Sequence, residues 1–301
     1  MVSEGFEEST YYADHDAYLE GHLPSAVFVS WLSDGAGTDQ QTGVPAMLLE
    51  DTDAFAATME EKGVGTDRTV VVYDGGDGLL APRLWWALRR HGHPDVRVLD
   101  GGYRQWMEEG RPVDTEQPCP LKVMSKGAVF DTEAHSPRND LLATCQDVLK
   151  AVANPDRYLL VDARNTAQYT GKVRRAIHGG CVPGAISCPR KILLSPSGNF
   201  LTITEQIAAL EAAGLDVEAL RDIDEPCISS PPERKRVVAY CNGGVASCTV
   251  LLALARVGVQ SAMNYDGSWN EWGNRDDVPL ANSTFCPHPG SILEKECLEK
   301  D

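Results

Sequence analysis

The most reactive pattern in the sequence is a cysteine that ends a β-branched run and opens a short glycine-rich loop. Cys241 follows residues 236–240 and precedes Asn242-Gly243-Gly244-Val245-Ala246. Glycines let backbone N–H groups turn inward, and the first turn of a following helix adds unpaired N–H groups and a positive dipole end. These groups favour the thiolate, which is the nucleophilic form of cysteine. The pattern predicts a nucleophilic cysteine inside an anion-binding loop.

The surroundings of this loop occur twice in the chain. A β-branched stretch at residues 69–73 leads into Asp74 and a second glycine-rich loop, just as a similar stretch leads into Cys241. Downstream, the Asp-Gly-Gly of residues 100–102 matches the Asp-Gly-Ser of residues 266–268. The offset between matching positions stays between 159 and 167 residues, which indicates a duplication.

Each copy has the pattern of a short strand, a tight glycine loop and an amphipathic helix. Strands that alternate with helices favour parallel sheets covered on both faces, with the loops after the strands at one edge. We predict an α/β fold with two similar domains, each a small parallel sheet flanked by helices. The predicted boundaries are 1–115 for the first domain, 116–139 for a linker, 140–283 for the second domain and 284–301 for a tail.

The first copy is predicted to lack its opening strand. In the second copy this strand, at residues 159–162, ends about 21 residues before Pro183. The same count back from Pro24 reaches Ser3, so the matching strand would precede Met1. Either the protein begins upstream of Met1 or the first domain has lost a strand. Loss of a central strand would leave apolar sheet and backbone groups unpaired.

Composition narrows the classes of partner. The 301-residue chain carries a net charge of −17, which argues against nucleic acid and anionic membranes. It contains no apolar run near the ~20 residues that cross a bilayer, and its acidic start resembles no targeting signal. Nine cysteines without a tight framework are expected to be reduced thiols. The expected compartment is the cytoplasm, or an organelle if an N-terminal segment is missing.

Four segments, in order, resemble the rhodanese family. The Cys-x-x-Gly-Val of residues 241–245 resembles its active loop, and residues 160–164 resemble its opening strand. Residues 183–186 resemble its Pro-Gly-Ala turn, and residues 266–272 resemble the closing signature of its tandem members. No single motif is specific, but the ordered set is, and the likeness covers nearly the whole chain, from about Tyr12 to Leu280.

The resemblance implies a ping-pong transfer of sulfur. Cys241 attacks the outer sulfur of a small anionic donor, thiosulfate or 3-mercaptopyruvate, and holds it as a persulfide. Cyanide, a small thiol or a protein thiol such as thioredoxin then removes it. No metal and no organic cofactor is expected. Backbone N–H groups of the loop are expected to bind the substrate, and these belong to Asn242, Gly243, Gly244, Val245 and Ala246.

The donor also requires positive charge, and the resemblance leaves the donor's identity open. Arg174 and Arg175 are the candidate cations, since a guanidinium can grip a carboxylate or sulfonate with two hydrogen bonds; solvated surface charge is the alternative. The loop has no cation between Cys241 and Gly244, which favours mercaptopyruvate. However, Gly243 stands where mercaptopyruvate loops often have Ser. Asp74 in place of a thiol implies that the first domain is inactive.

The sequence also offers three other functions. Gly76-Asp77-Gly78 and Ala81 match a dinucleotide-binding loop, but the duplication explains the same glycines better. A cysteine phosphatase needs an Arg six residues after its cysteine, and position 247 is Ser. The non-enzymatic alternative is a rhodanese-like module that binds a protein or senses redox state. The intact Cys241 loop argues against this module, and the shortened first domain argues for it.

Overall fold

The structure, a computed structural model, describes residues 14–30, 34, 51–116, 127–222 and 234–281. Helices and strands alternate in each half of the chain. The described elements of the first half are α1 (His15–Glu20), α2 (Thr52–Glu61), β1 (Val70–Val72), α3 (Leu80–Arg90), β2 (Val96–Val98) and α4 (Gly102–Glu108).

The second half contains more described elements than the first. They are β3 (Leu142–Ala143), α5 (Cys145–Ala153), β4 (Tyr158–Asp162), α6 (Thr166–Tyr169), β5 (Ile186–Ser187), α7 (Ile203–Ala212), α8 (Val217–Leu220), β6 (Arg236–Tyr240), α9 (Ala246–Arg256), β7 (Met263–Tyr265) and α10 (Ser268–Trp272). There are also two 3₁₀ turns: Asn139–Leu141 directly precedes β3, and Arg190–Leu193 follows β5.

Both halves contain parallel sheets, which confirms the predicted α/β class. In the second half five strands are ordered β3-β7-β6-β4-β5, and every neighbouring pair is parallel. In the described part of the first half, β1 and β2 pair in parallel with Val70 opposite Val96. Ser3, the position reached by the count back from Pro24, lies outside the described residues.

The strand before the cysteine and the helix after it form the centre of the second half. In β6 only Arg236 is exposed, because a central parallel strand is covered on both faces and its Val and Ala side chains fit there. Helix α9 is buried along most of its length, since residues 247–254 are all buried. A helix that is buried on all sides lies between layers, and α9 packs between the sheet and α3 of the first half.

One continuous core joins the two halves. Trp85 and Leu88 of α3 belong to the same buried cluster as Leu251 and Leu254 of α9. Phe130, which follows the first half, also joins this cluster and lies edge-on to Phe55 with ring centroids 5.7 Å apart. The loops that precede α3 and α9 are therefore held close together across the interface.

One cysteine differs from the expectation that all thiols are reduced. Cys181 is in a disulfide. It packs with Tyr169 and Ala281, and its backbone pairs with that of Ala281.

None of the helices in the described residues is long and apolar enough to cross a membrane.

His91, at the C-terminal end of α3, is predicted to make the fold sensitive to acid. Its ring is buried and stacks on Phe55 at 4.3 Å. Burial, with Arg90 and Arg83 nearby, lowers its pKa from 6.5 to about 3. Between these values the unfolded chain binds a proton that the folded chain excludes. The free energy of unfolding therefore falls as pH decreases, by up to about 1.4 kcal/mol per pH unit.

We expect His91→Phe to flatten this pH dependence, because the phenyl ring keeps the stacking and cannot take up a proton. The measurement is the urea midpoint at pH values from about 7 down to about 4.5. His178→Gln is a matched control, since this histidine contacts Asp276 far from the buried cluster around His91. Parallel curves for the wild type and His91→Phe would show that His91 does not cause the acid sensitivity.

Candidate active site

Cys241 lies at the carboxyl end of the central strand β6, with the glycine loop leading directly into α9. Its side chain is 3% exposed. The left-handed conformation of Gly244, with φ of +74°, turns the chain toward the helix, and a Cβ there would collide with Asp266. The loop therefore requires glycine at this position, and it holds the thiol against the amino end of the helix.

Most of the loop's N–H groups are unpaired within the part of the chain that the structure describes. The N–H groups of Asn242, Gly243, Val245 and Ala246 meet no hydrogen-bond acceptor there. Unpaired donors beside a thiol, at the amino end of a helix, form a site for negative charge. The role of these four residues as backbone donors to a substrate stays a prediction.

The matching loop of the first half shows what such a set of donors does. The carboxylate of Asp74 accepts hydrogen bonds from the N–H groups of Gly76, Leu79, Leu80 and Ala81, at 2.9–3.1 Å. Leu79 occupies the N-cap position of α3, as Val245 does for α9, and both residues have helical backbone angles. The first loop thus holds one negative charge on the amides that match those around Cys241.

Gly244 differs from the sequence-based expectation. Its N–H donates to Ser268 Oγ at 3.0 Å and does not face the nucleophile. The same oxygen accepts the N–H of Cys241 at 3.1 Å, and the hydroxyl donates to Tyr265 O at 2.6 Å. Gly244 therefore shapes the loop through Ser268 instead of offering its N–H to the substrate.

Ser268 was not identified as a site residue, although its position in the duplication could have revealed it. It has φ of +51°, and the matching Gly102 of the first half has φ of +54°. A left-handed conformation suits glycine and costs a serine about 1–2 kcal/mol. The second half has this strain where the first half has none. In return, the Ser268 hydroxyl accepts hydrogen bonds from two N–H groups of the Cys241 loop.

A side chain from the first half also supports the loop. Arg83 of α3 donates to Gly244 O at 3.3 Å and forms a bidentate ion pair with Asp266. Thr249 of α9 makes the reciprocal contact, donating to Gly78 O at 2.8 Å. Arg83 and Asp266 are both buried, so each charge depends on the other. The first half thus stabilises the Cys241 loop of the second.

The other described thiols of this region are poor nucleophiles. Burial raises the pKa of Cys188 to about 12 and that of Cys248 higher still. The Cys248 thiol donates to Gly244 O at 3.1 Å. Both side chains are fully buried. The environment therefore distinguishes Cys241, the thiol beside unpaired amides, from its buried neighbours.

The two predicted arginines differ in exposure. Arg174 is exposed and packs against Gly179, and Arg175 is half-buried. Their role in donor binding stays a prediction.

Gln168 was missed by the sequence analysis: it is buried, and its side-chain oxygen accepts a hydrogen bond from Asn242 Nδ2 at 3.2 Å. A neutral amide pair, Asn242 with Gln168, therefore lies at the start of the Cys241 loop.

The glycine loop of the first half is unsuited to a dinucleotide. Its amides, which would cradle a pyrophosphate, already bind the carboxylate of Asp74. Gly198 of the second half packs so closely on Gly76 O that a Cβ would not fit. Arg190 donates to Asp77 O at 2.9 Å and also faces this loop. The space that a cofactor needs is thus occupied by protein.

Comparisons with known proteins agree with this geometry. The sequence model of the rhodanese-like domain family matches the chain twice, at residues 12–109 and 144–275. The chain is 31% identical over 283 residues to the 3-mercaptopyruvate sulfurtransferase of Escherichia coli strain K12, covering 93% of this chain and 89% of that one. It is 31% identical over 264 residues to the thiosulfate sulfurtransferase of Bos taurus, covering 86% and 79%.

A solved structure shows the same fold. The crystal structure of SseA from Escherichia coli, a 3-mercaptopyruvate sulfurtransferase with a rhodanese fold, is similar with a TM-score of 0.67 and 28% identity. The similarity covers 85% of this chain and 86% of SseA. Two matched domains, a relative of nearly full length and the shared fold lead to one conclusion: the chain belongs to the rhodanese family, as a tandem of two rhodanese-like domains.

Proposed function

We propose that this protein is a sulfurtransferase that carries sulfur as a persulfide on Cys241. The observation that supports this most directly is the set of unpaired N–H groups around Cys241, whose counterparts in the first loop bind the carboxylate of Asp74. A persulfide ends in a negatively charged sulfur, which such donors stabilise. Relatives named as 3-mercaptopyruvate and thiosulfate sulfurtransferases support the same assignment.

The proposed reaction has two half-reactions. The Cys241 thiolate attacks the outer sulfur of the donor, a new S–S bond forms, and the bond between that sulfur and the rest of the donor breaks. Thiosulfate leaves as sulfite, and 3-mercaptopyruvate leaves as pyruvate with its own thiol proton transferred to carbon. Cyanide or a thiolate then takes the outer sulfur, which regenerates the Cys241 thiolate. Thioredoxin is a candidate protein acceptor.

The polarity around the loop favours 3-mercaptopyruvate over thiosulfate. Asn242 and Gln168 place neutral amides beside the loop, and neither is a cation that would balance a dianion. Asn242 Oδ1 is buried and meets no hydrogen-bond donor among the described residues. A monoanionic donor is less costly to place there than a dianion, because an unpaired charge in a buried site carries a large desolvation penalty.

Mixing the protein with donor is expected to add about 32 Da, one sulfur atom, to the peptide that carries Cys241. Mass spectrometry of digested protein locates the added mass, and cyanide should remove it. The experiment uses thiosulfate and 3-mercaptopyruvate side by side, with faster loading expected from mercaptopyruvate. Mass found on Cys248 or Cys188 instead would show that the carrier was assigned to the wrong thiol.

A further inference from the structure

Ser247 places a buried hydroxyl beside the proposed nucleophile. It lies in the first turn of α9 and is fully buried. Its Oγ is 3.6 Å from Cys241 Sγ and 2.6 Å from Asn264 Oδ1. Within the described residues it supplies the one side-chain hydrogen bond to this sulfur. One hydroxyl hydrogen therefore has two acceptors in reach.

The orientation of Asn264 follows from its other contacts. Its Nδ2 donates to Gly244 O at 3.0 Å and to Asp266 Oδ1 at 3.0 Å. Both partners are acceptors, so a rotated amide would lose two hydrogen bonds and place oxygen against oxygen. Asn264 Oδ1 must then face Ser247. It offers an acceptor to the hydroxyl and cannot donate to it.

We propose that Ser247 is a catalytic residue whose hydroxyl changes partner during the reaction. When Cys241 is a thiol or a persulfide, Ser247 donates to Asn264 Oδ1. When Cys241 is a thiolate, Ser247 donates to Sγ. The hydrogen stays covalently bound to Ser247 Oγ throughout, and only the O–H bond rotates. The inference rests on the proposed function of Cys241 and adds a residue to it.

The two half-reactions should depend on this hydroxyl to different extents. In the persulfide the negative charge is on the outer sulfur, held by the loop amides, and Sγ is neutral. When the acceptor removes the outer sulfur, the charge returns to Sγ as the leaving thiolate. A donated hydrogen bond to an anion is stronger than one to a neutral group, so Ser247 stabilises this step. Sulfur removal should therefore depend on Ser247.

The other titratable groups around the sulfur do not provide this interaction. Cys248 is a protonated thiol that donates to Gly244 O, because burial raises its pKa. Arg83, from the facing helix α3, and Asp266, after β7, form an ion pair with each other. They hold Asn264 and Gly244 in place. Ser247 is the group through which this buried network reaches Sγ.

The experiment compares Ser247→Ala with Thr249→Val. Both remove a buried hydroxyl from α9, but Thr249 bonds Gly78 O across the interface and does not reach the sulfur. The first measurement is the pH dependence of Cys241 alkylation by iodoacetamide. The second loads the persulfide with donor, removes excess donor and follows sulfur removal by cyanide in a single turnover. Tryptophan fluorescence verifies that each variant is folded.

For Ser247→Ala we expect the midpoint of alkylation to rise by about one pH unit and sulfur removal to slow about tenfold, the effect of one hydrogen bond to a charged group. Thr249→Val should match the wild type in both measurements, and Ser247→Thr, which keeps the hydroxyl, should recover part of the rate. Wild-type behaviour of Ser247→Ala overturns this inference while the persulfide on Cys241 stands. Absence of sulfur on wild-type Cys241 overturns the proposed function as well.

Discussion

Cys241→Ser is expected to abolish sulfur transfer, lowering the rate with either donor by roughly 10⁴-fold or more. A serine hydroxyl remains protonated at neutral pH and cannot form the S–S bond on which the transfer depends. The fold should survive, because the change is nearly isosteric and the loop is held by backbone contacts to Ser268. The measurement is steady-state thiocyanate formation from cyanide, with urea unfolding of the same sample.

Two other cysteines serve as controls for this substitution. Cys188→Ala removes a fully buried thiol whose pKa burial raises to about 12, so transfer should continue. Cys248→Ser keeps a donor toward Gly244 O and should retain most of the rate. If Cys241→Ser transferred sulfur like the wild type, or if Cys248→Ser were the inactive variant, the nucleophile would have to be reassigned.

Arg83→Met is expected to have the largest effect on stability, lowering the free energy of unfolding by about 3–5 kcal/mol. The arginine is 2% exposed and its partner Asp266 is also 2% exposed. Removing the guanidinium leaves a carboxylate charge buried without its ion-pair partner, and Gly244 O loses a donor. Transfer activity should fall too, because both groups border the Cys241 loop. Urea unfolding measures the first effect and steady-state rates the second.

A double-mutant cycle tests the physical cause. Asp266→Asn removes the charge that Arg83→Met leaves unpaired, so the double variant should be more stable than the sum of the single effects predicts. Arg97→Met is the surface control: Arg97 pairs with Asp95 in an exposed position, and such pairs contribute less than about 1 kcal/mol. Additive effects of Arg83→Met and Asp266→Asn would contradict the proposed coupling across the interface.

Much of the site followed from short stretches of sequence. The β-branched run, the glycine loop and the apolar helix after it are local patterns, and each predicts its own element. The duplication extended them to a two-domain α/β fold, because parallel strands with helical crossovers have few possible arrangements. The position of Cys241 at the amino end of a helix therefore required no knowledge of distant contacts.

Tertiary structure alone decided which side chains support that cysteine. Arg83 reaches Asp266 across 183 residues of sequence, and Asn264 meets Ser247 across 17. No local pattern indicates these pairs, because a hydrogen bond between side chains depends on how separate elements pack. The same holds for Gly244, whose N–H faces Ser268 instead of the substrate. The sequence by itself determined the strand, loop and helix that hold Cys241, whereas the packing of separate elements decided the buried polar network around it.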